Sequence, residues 1–127
     1  SARAGYGLGE AVTARGWHCT GVFGRIGAAA AAAVLLELSE EQTLHALGTA
    51  ATQASGLTAS FGTMAKPFHA GKAGMDGVIA AEFAEAGLGA SHSLLDSGKG
   101  LFGTLFQDRT IVPSLAGLGT VAEIART

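Results

Sequence analysis

Cys19 is the only cysteine in this sequence. An internal disulfide framework is therefore excluded, and the composition fits a reducing, cytoplasmic compartment. Charge is scarce as well: Asp, Glu, Lys and Arg make up 14% of the residues, against roughly 25% in an average soluble domain. With a net charge of −2 and no basic run, there is no electrostatic case for binding nucleic acid or an anionic membrane. The apolar run Ile26–Leu36 falls well short of the roughly 20 residues that cross a bilayer. The opening SARAGYGLGE lacks the apolar core of a signal peptide. Without an initiating Met, the chain is expected to begin partway through a longer protein.

What is present is apolar and small. Hydrophobic residues account for 48% of a 127-residue chain, one domain's worth and enough to bury a core. So few polar groups cover a surface poorly, so the chain is expected to oligomerise or to pack against a missing part. A short first helix, weakened by Gly5, Gly7 and Gly9, runs to about residue 15. GWHCTG breaks it, and Thr20 is read as the N-cap of an alanine-rich helix through VFGRIGAAAAAAVLLEL. Ser39-Glu40-Glu41-Gln42 has the form of a capping box opening a helix with Leu44, Leu47 and Ala51 as its apolar stripe. That helix stops at Gly56. The next, over 69–86, is expected to turn Met75, Val78, Ile79, Ala81 and Phe83 inward and Asp76, Glu82 and Glu85 outward. GKGLFGTLF gives a last short helix. TVAEIA, beyond Pro113, alternates like a strand. The expected fold is all-α, a bundle of about five helices with a short strand-like C-terminal tail.

Chemistry concentrates in Phe61–Gly71, FGTMAKPFHAG. Pro67 disfavours helix in the residues before it, so Lys66 is expected on a loop. The following helix should then point its N-terminus at Lys66 and His69. A cation beside unpaired helix N–H groups is a place for an anion. His18, between glycines at a helix start, has a ring free to face a cleft. The helix N-terminus opposes its protonation, which favours a neutral imidazole usable as a general base or donor. Each has an ordinary alternative: His18 bonding a loop carbonyl, Lys66 solvated on its loop, His69 packed on Phe68. Cys19 beside His18 reads as a small half-buried residue or as a thiol nucleophile, and His45 as a boundary histidine. The histidines at 18, 45, 69 and 92 lack paired ligand spacing, so no metal site is expected. Gly21, Gly24 and Gly27 match neither a dinucleotide fingerprint nor a P-loop and suit helix packing.

Three blocks carry a resemblance: GWHCTGVFGRIGAAAAAAVLLELSEEQTLHALGTAATQASGL, then FGTMAKPFHAGKAGMDGVIAAEFAEAG, then LLDSGKGLFGTLF. In this order and spacing they resemble the helical domain of the MmgE/PrpD family, which includes 2-methylcitrate dehydratase, cis-aconitate decarboxylase and iminodisuccinate epimerase. The resemblance implies a homodimer in which this domain pairs with an α+β domain. It also implies metal-independent lyase or isomerase chemistry on small di- and tricarboxylic acids, with no cofactor. In the decarboxylase branch, G-[aromatic]-H and K-P-[Leu/Phe]-H elements supply active-site side chains. Carried onto this sequence, they make His18 and Lys66 the catalytic candidates, with Lys66 and His69 binding substrate. Cys19 stands where many relatives have Pro. The family's upstream Asp/His element and its downstream basic and tyrosine residues have no counterpart here. Residues 1–109 are therefore expected to be a partial helical domain holding half a site. Residues 110–127 are expected to lead into the missing domain.

Overall fold

The structure, a computed structural model, describes residues 8–106. They form five helices: α1 (Gly9–Ala14), α2 (Cys19–Leu35), α3 (Glu40–Ala51), α4 (Ala65–Glu85) and α5 (Leu101–Leu105), with a 3₁₀ turn at Thr58–Ser60. There is no sheet among the described residues, and the fold is all-α. The strand-like tail expected over 110–127 lies outside them.

The helix ends follow local chemistry. Ser39 and Gln42 form the expected capping box, each side chain bonding the other's backbone N–H. Gly87, at φ 97°, ends α4 in a Schellman motif: its N–H reaches the Ala84 carbonyl, and Leu88 N–H reaches that of Phe83. The start of α2 differs from expectation, because His18 rather than Thr20 is its N-cap. Residues 17 and 18 are held extended by the pairing of 16–18 with 56–58. Trp17 and Leu57 form an antiparallel bridge, His18 N–H donates to Gly56 O, and Thr58 N–H donates to Gly16 O. Helix begins where that pairing stops.

α2, α3 and α4 pack on one another through their smallest side chains. Ala32, Ala46, Ala81 and Ala84 form one buried cluster, and Ala29, Ala50 and Ala80 another. This corrects the expected helix faces. On α4, Ala81 alone of the five residues expected inward is fully buried, and Met75, Val78 and Phe83 are about half exposed. Asp76, expected outward, is 4% exposed. On α3, Ala51 is buried and Leu47 half-buried, but Leu44 is exposed. The reason is backbone proximity. Ala73, Gly77, Ala80 and Ala84 recur every three or four residues and form one stripe of α4. A Cβ added at Gly77 would lie 2.5 Å from Ala28 Cβ and 2.6 Å from Arg25 O. Larger inward residues would push the helices apart and forfeit these contacts.

Larger side chains fill one end of the domain. Leu8, Val12, Val22, Phe23, Leu105 and Phe106 are buried together there, with Phe23 and Phe102 stacked. Between α2 and α4 lies a buried ion pair. Arg25, 1% exposed, sets a guanidinium nitrogen 3.1 Å from Asp76 Oδ2, and Lys72 bonds the other carboxylate oxygen. Arg25 also donates to the carbonyls of Gly21 and Gln53 and to Ser55 Oγ. One side chain thus ties both long helices to the loop that follows α3. Burial pushes the Asp76 carboxyl up, and the hydrogen bonds and charges of Lys72 and Arg25 outweigh it, so it lies below its ordinary value.

Candidate active site

The loop anchored by Arg25 builds the site. Gly56, at φ 109°, presents its carbonyl to His18 and lies against the His69 ring, where an added Cβ would be 3.2 Å from Nδ1. Gly21 lets the same loop touch α2, since a Cβ there would lie 2.3 Å from Ser55 O. Only glycine fits at either contact without moving the loop. The loop thereby sets the first turn of α2 beside the start of α4.

His18 and His69 meet across this junction with their Nδ1 atoms 2.9 Å apart. Such a contact holds one proton, so one ring donates and the other accepts. The surrounding bonds say which. Ser60 Oγ donates to Leu57 O at 2.6 Å, so its contact with His69 Nε2 at 3.5 Å uses the histidine as donor. Neutral His69 then has a bare Nδ1 that accepts from His18 Nδ1–H. The lone pair of His18 Nε2 is left over, and no further hydrogen bond to this ring occurs among the described residues.

Phe61 joins the third predicted residue to this pair. Its ring meets His18 edge-on at 4.8 Å, and Lys66 Nζ lies 4.7 Å from its centroid. The structure thus brings His18, His69 and Lys66 together, although they come from two helices. The histidines are half-buried, and Phe61 and Lys66 are exposed, so the cluster opens toward solvent on the ammonium side. Burial lowers the His18 pKa, and electrostatic interaction with the neighbouring His69 and Lys66 side chains lowers it further. The expected neutral imidazole therefore agrees with its surroundings.

Two local expectations are corrected. Lys66 lies in the first turn of α4, not on a loop, because α4 starts at Ala65. Pro67 is its third residue, where the missing N–H costs no helical bond. The start of α4 is also not an array of free donors. Ala65 N–H goes to Thr63 Oγ1, Lys66 N–H goes to Thr63 O, and Pro67 has none. Attraction for an anion at this end therefore comes from side chains. Cys19, for its part, is engaged with α1: its sulfur lies 3.4 Å from Gly9 O and from Thr13 Oγ1. The thiol-nucleophile reading gains no support from that placement.

A cavity of about 220 Å³ lies nearby, lined by Trp17, Thr52, Leu94, Lys99, Leu101 and Thr104 among others, and none of the three candidates borders it. The extended backbone at residues 17 and 18 sends successive side chains to opposite sides, Trp17 to the cavity and His18 to the cluster. The sequence reading missed Arg25 and Asp76, which position the loop behind the site. A lone arginine inside an alanine-rich helix was the available signal, since an apolar helix buries a charge only with a partner.

A family model described as the MmgE/PrpD N-terminal domain matches residues 3–114. The cis-aconitate decarboxylase of Aspergillus terreus is 37% identical over 92 residues, covering 72% of this chain and 19% of the relative. The cis-aconitate decarboxylase of Homo sapiens is 35% identical over 102 residues, 79% of this chain and 21% of the relative. The cis-aconitate decarboxylase-like protein oryM of Aspergillus oryzae is 38% identical over 99 residues, 77% and 20%. The chain spans about a fifth of the length of these relatives. No helix among the described residues is long and apolar enough to cross a membrane.

Proposed function

Because this chain belongs to the MmgE/PrpD family, as its N-terminal domain, we propose that it is part of a metal-independent lyase for small di- or tricarboxylic acids. Decarboxylation of cis-aconitate is the reaction its relatives' names favour. One observation in the site carries the reading: the His18–His69 contact, with Lys66 across the Phe61 ring from it. Lys66 pairs with a substrate carboxylate and offsets charge that develops on it as a bond to the neighbouring carbon breaks. His18, oriented by His69, moves the proton at the carbon next to that carboxylate. A lowered pKa makes neutral imidazole the resting form, able to take a proton in elimination. For decarboxylation the ring first takes a proton from solvent; the imidazolium then gives it to the carbon from which CO₂ has left and returns to the neutral form. His69 acts mainly by holding the His18 tautomer, with a second role toward the acid itself.

Dehydration of a 2-methylcitrate-like acid and epimerisation are the alternatives within the family, and the same three side chains serve each. The partners proposed are the polycarboxylate and a second copy of the whole protein. Support for the second copy is the outer face of α4, where Met75, Val78 and Phe83 stay about half exposed. The test uses the complete protein, incubated with cis-aconitate, 2-methylcitrate and citrate while products and CO₂ are followed. Turnover of one acid that is lost in His18→Asn supports the assignment. Undiminished turnover in that variant removes it, and turnover of none of the three, with no thermal stabilisation by any, removes the lyase reading altogether.

A further inference from the structure

A second group of ligating side chains lies far from the dyad, at the opposite end of α4. From His69 to the helix end at Glu85 is about 24 Å of helix. Glu41 and His45 are one turn apart on α3, and His92 comes to them from the segment that follows α4. One ligand atom from each of the three lies within 4.8 Å of the others. His45 Nε2 is 3.9 Å from Glu41 Oε1, and the His45 and His92 rings are 5.0 Å apart at 43°. The sequence reading expected no metal site because it compared histidines with histidines. Glu41-x-x-x-His45 is itself a one-face pair, and only the fold adds His92.

Two features distinguish this group from a chance surface gathering. The His45–Glu41 separation is too long for a hydrogen bond. It is close to the roughly 3.4 Å that separates two ligands each about 2.1 Å from a tetrahedral zinc. The other nitrogen of His45 is also fixed. Its Nδ1 lies 3.0 Å from the Ala90 carbonyl, the backbone contact that typically orients a metal-ligating histidine. Ala90 N–H lies at 3.0 Å from the same nitrogen, so in the absence of metal either tautomer is bonded. A cation on Nε2 selects the one in which Nδ1–H donates to the carbonyl. His45 is 20% exposed in its side chain, whereas Glu41 and His92 are exposed and free to close inward by rotamer changes.

We propose that Glu41, His45 and His92 bind one divalent transition-metal ion of the zinc class, fastening the segment after α4 to α3. Two imidazoles and a carboxylate leave a fourth position for water, and soft thiolates are not needed. The site is separate from the lyase reading and does not depend on it.

The test is calorimetric titration of the metal-free protein with Zn²⁺, with histidine side-chain NMR as a second readout. One ion per chain is expected, with His45 and His92 resonances shifting while those of His18 and His69 stay. His92→Gln and Glu41→Gln, both at exposed positions where folding is not at risk, should each weaken binding at least tenfold. Zn²⁺ binding unchanged in both variants, shifts confined to His18 and His69, or no saturable binding below about 100 μM would each overturn the proposal.

Discussion

His18 Nδ1 and His69 Nδ1 lie 2.9 Å apart although the residues are separated by 51 positions in the chain, and a single proton occupies the space between them. With the His18 pKa held below its ordinary value by burial, then by His69 and Lys66, the folded ring refuses a proton that an unfolded chain would accept. The sign follows directly. This contribution to stability is intact above the ordinary histidine range and falls as pH drops through about 6.5.

Under the proposed function, kcat/KM of the complete protein should titrate along a limb below the ordinary histidine value, rising with pH where His18 takes a proton in elimination and falling with pH where its imidazolium protonates the carbon after loss of CO₂. His69→Gln removes one of the groups that depress His18, so the limb should move to higher pH. A pH–rate profile of both proteins checks this, and an unmoved limb would show that His69 does not act on His18.

Lys66→Ala should raise KM and lower kcat/KM by roughly 10- to 100-fold, the range for loss of one charge-assisted contact. His18→Ala should instead act mainly on kcat, by about 10²-fold or more. Steady-state kinetics on the two variants separate these roles, since a solvated Lys66 would leave KM where it was.

Two glycines in one helix should respond oppositely to alanine. At Gly71 an added Cβ meets nothing within 4 Å, so Gly71→Ala should stabilise by roughly 0.5–1 kcal/mol through helix propensity. At Gly77 the same methyl strikes the α2 backbone, and the substitution should cost about 1–3 kcal/mol net of that gain. Thermal or urea denaturation of the pair gives both signs.

Asp76→Asn leaves Arg25 charged and buried, and should destabilise by about 3–5 kcal/mol. The Arg25→Met, Asp76→Leu double variant should recover much of the loss. Because the Asp76 carboxyl is held below its ordinary value, the stability it contributes is present above about pH 4 and is lost as pH falls through the folded value. An acid titration of wild type against the double variant isolates that term. Movement of the loop at Gln53 and Ser55 should accompany the loss of Arg25, visible as weakened protection of the His18 amide from exchange.

Val78→Glu or Phe83→Glu places a charge on the exposed apolar face of α4 without touching the buried stripe. In the complete protein either change should shift a dimer toward monomer, as read by light scattering. An unchanged mass would move the interface elsewhere.

Local chemistry was legible in the residues themselves. The Ser39–Gln42 box, the glycine stop after α4 and the all-α class follow from short-range bonding, which the chain carries wherever it goes. The GWH and KPFH elements single out His18, Lys66 and His69 as site candidates, and the fold brings these three side chains together. Which face of α4 turns inward was decided only by assembly. Hydrophobicity ranks Met75, Val78 and Phe83 above Gly77 and Asp76. Burial here is set instead by how closely two backbones approach and by whether a buried carboxylate meets Arg25. The start of α4 was settled the same way, since Pro67 is compatible with a loop or with a first helical turn. The meetings of His18 with His69, and of His45 with His92, are products of loop geometry across the whole domain. No spacing in a linear sequence encodes a distance closed by Gly56, Gly21 and a buried guanidinium acting together.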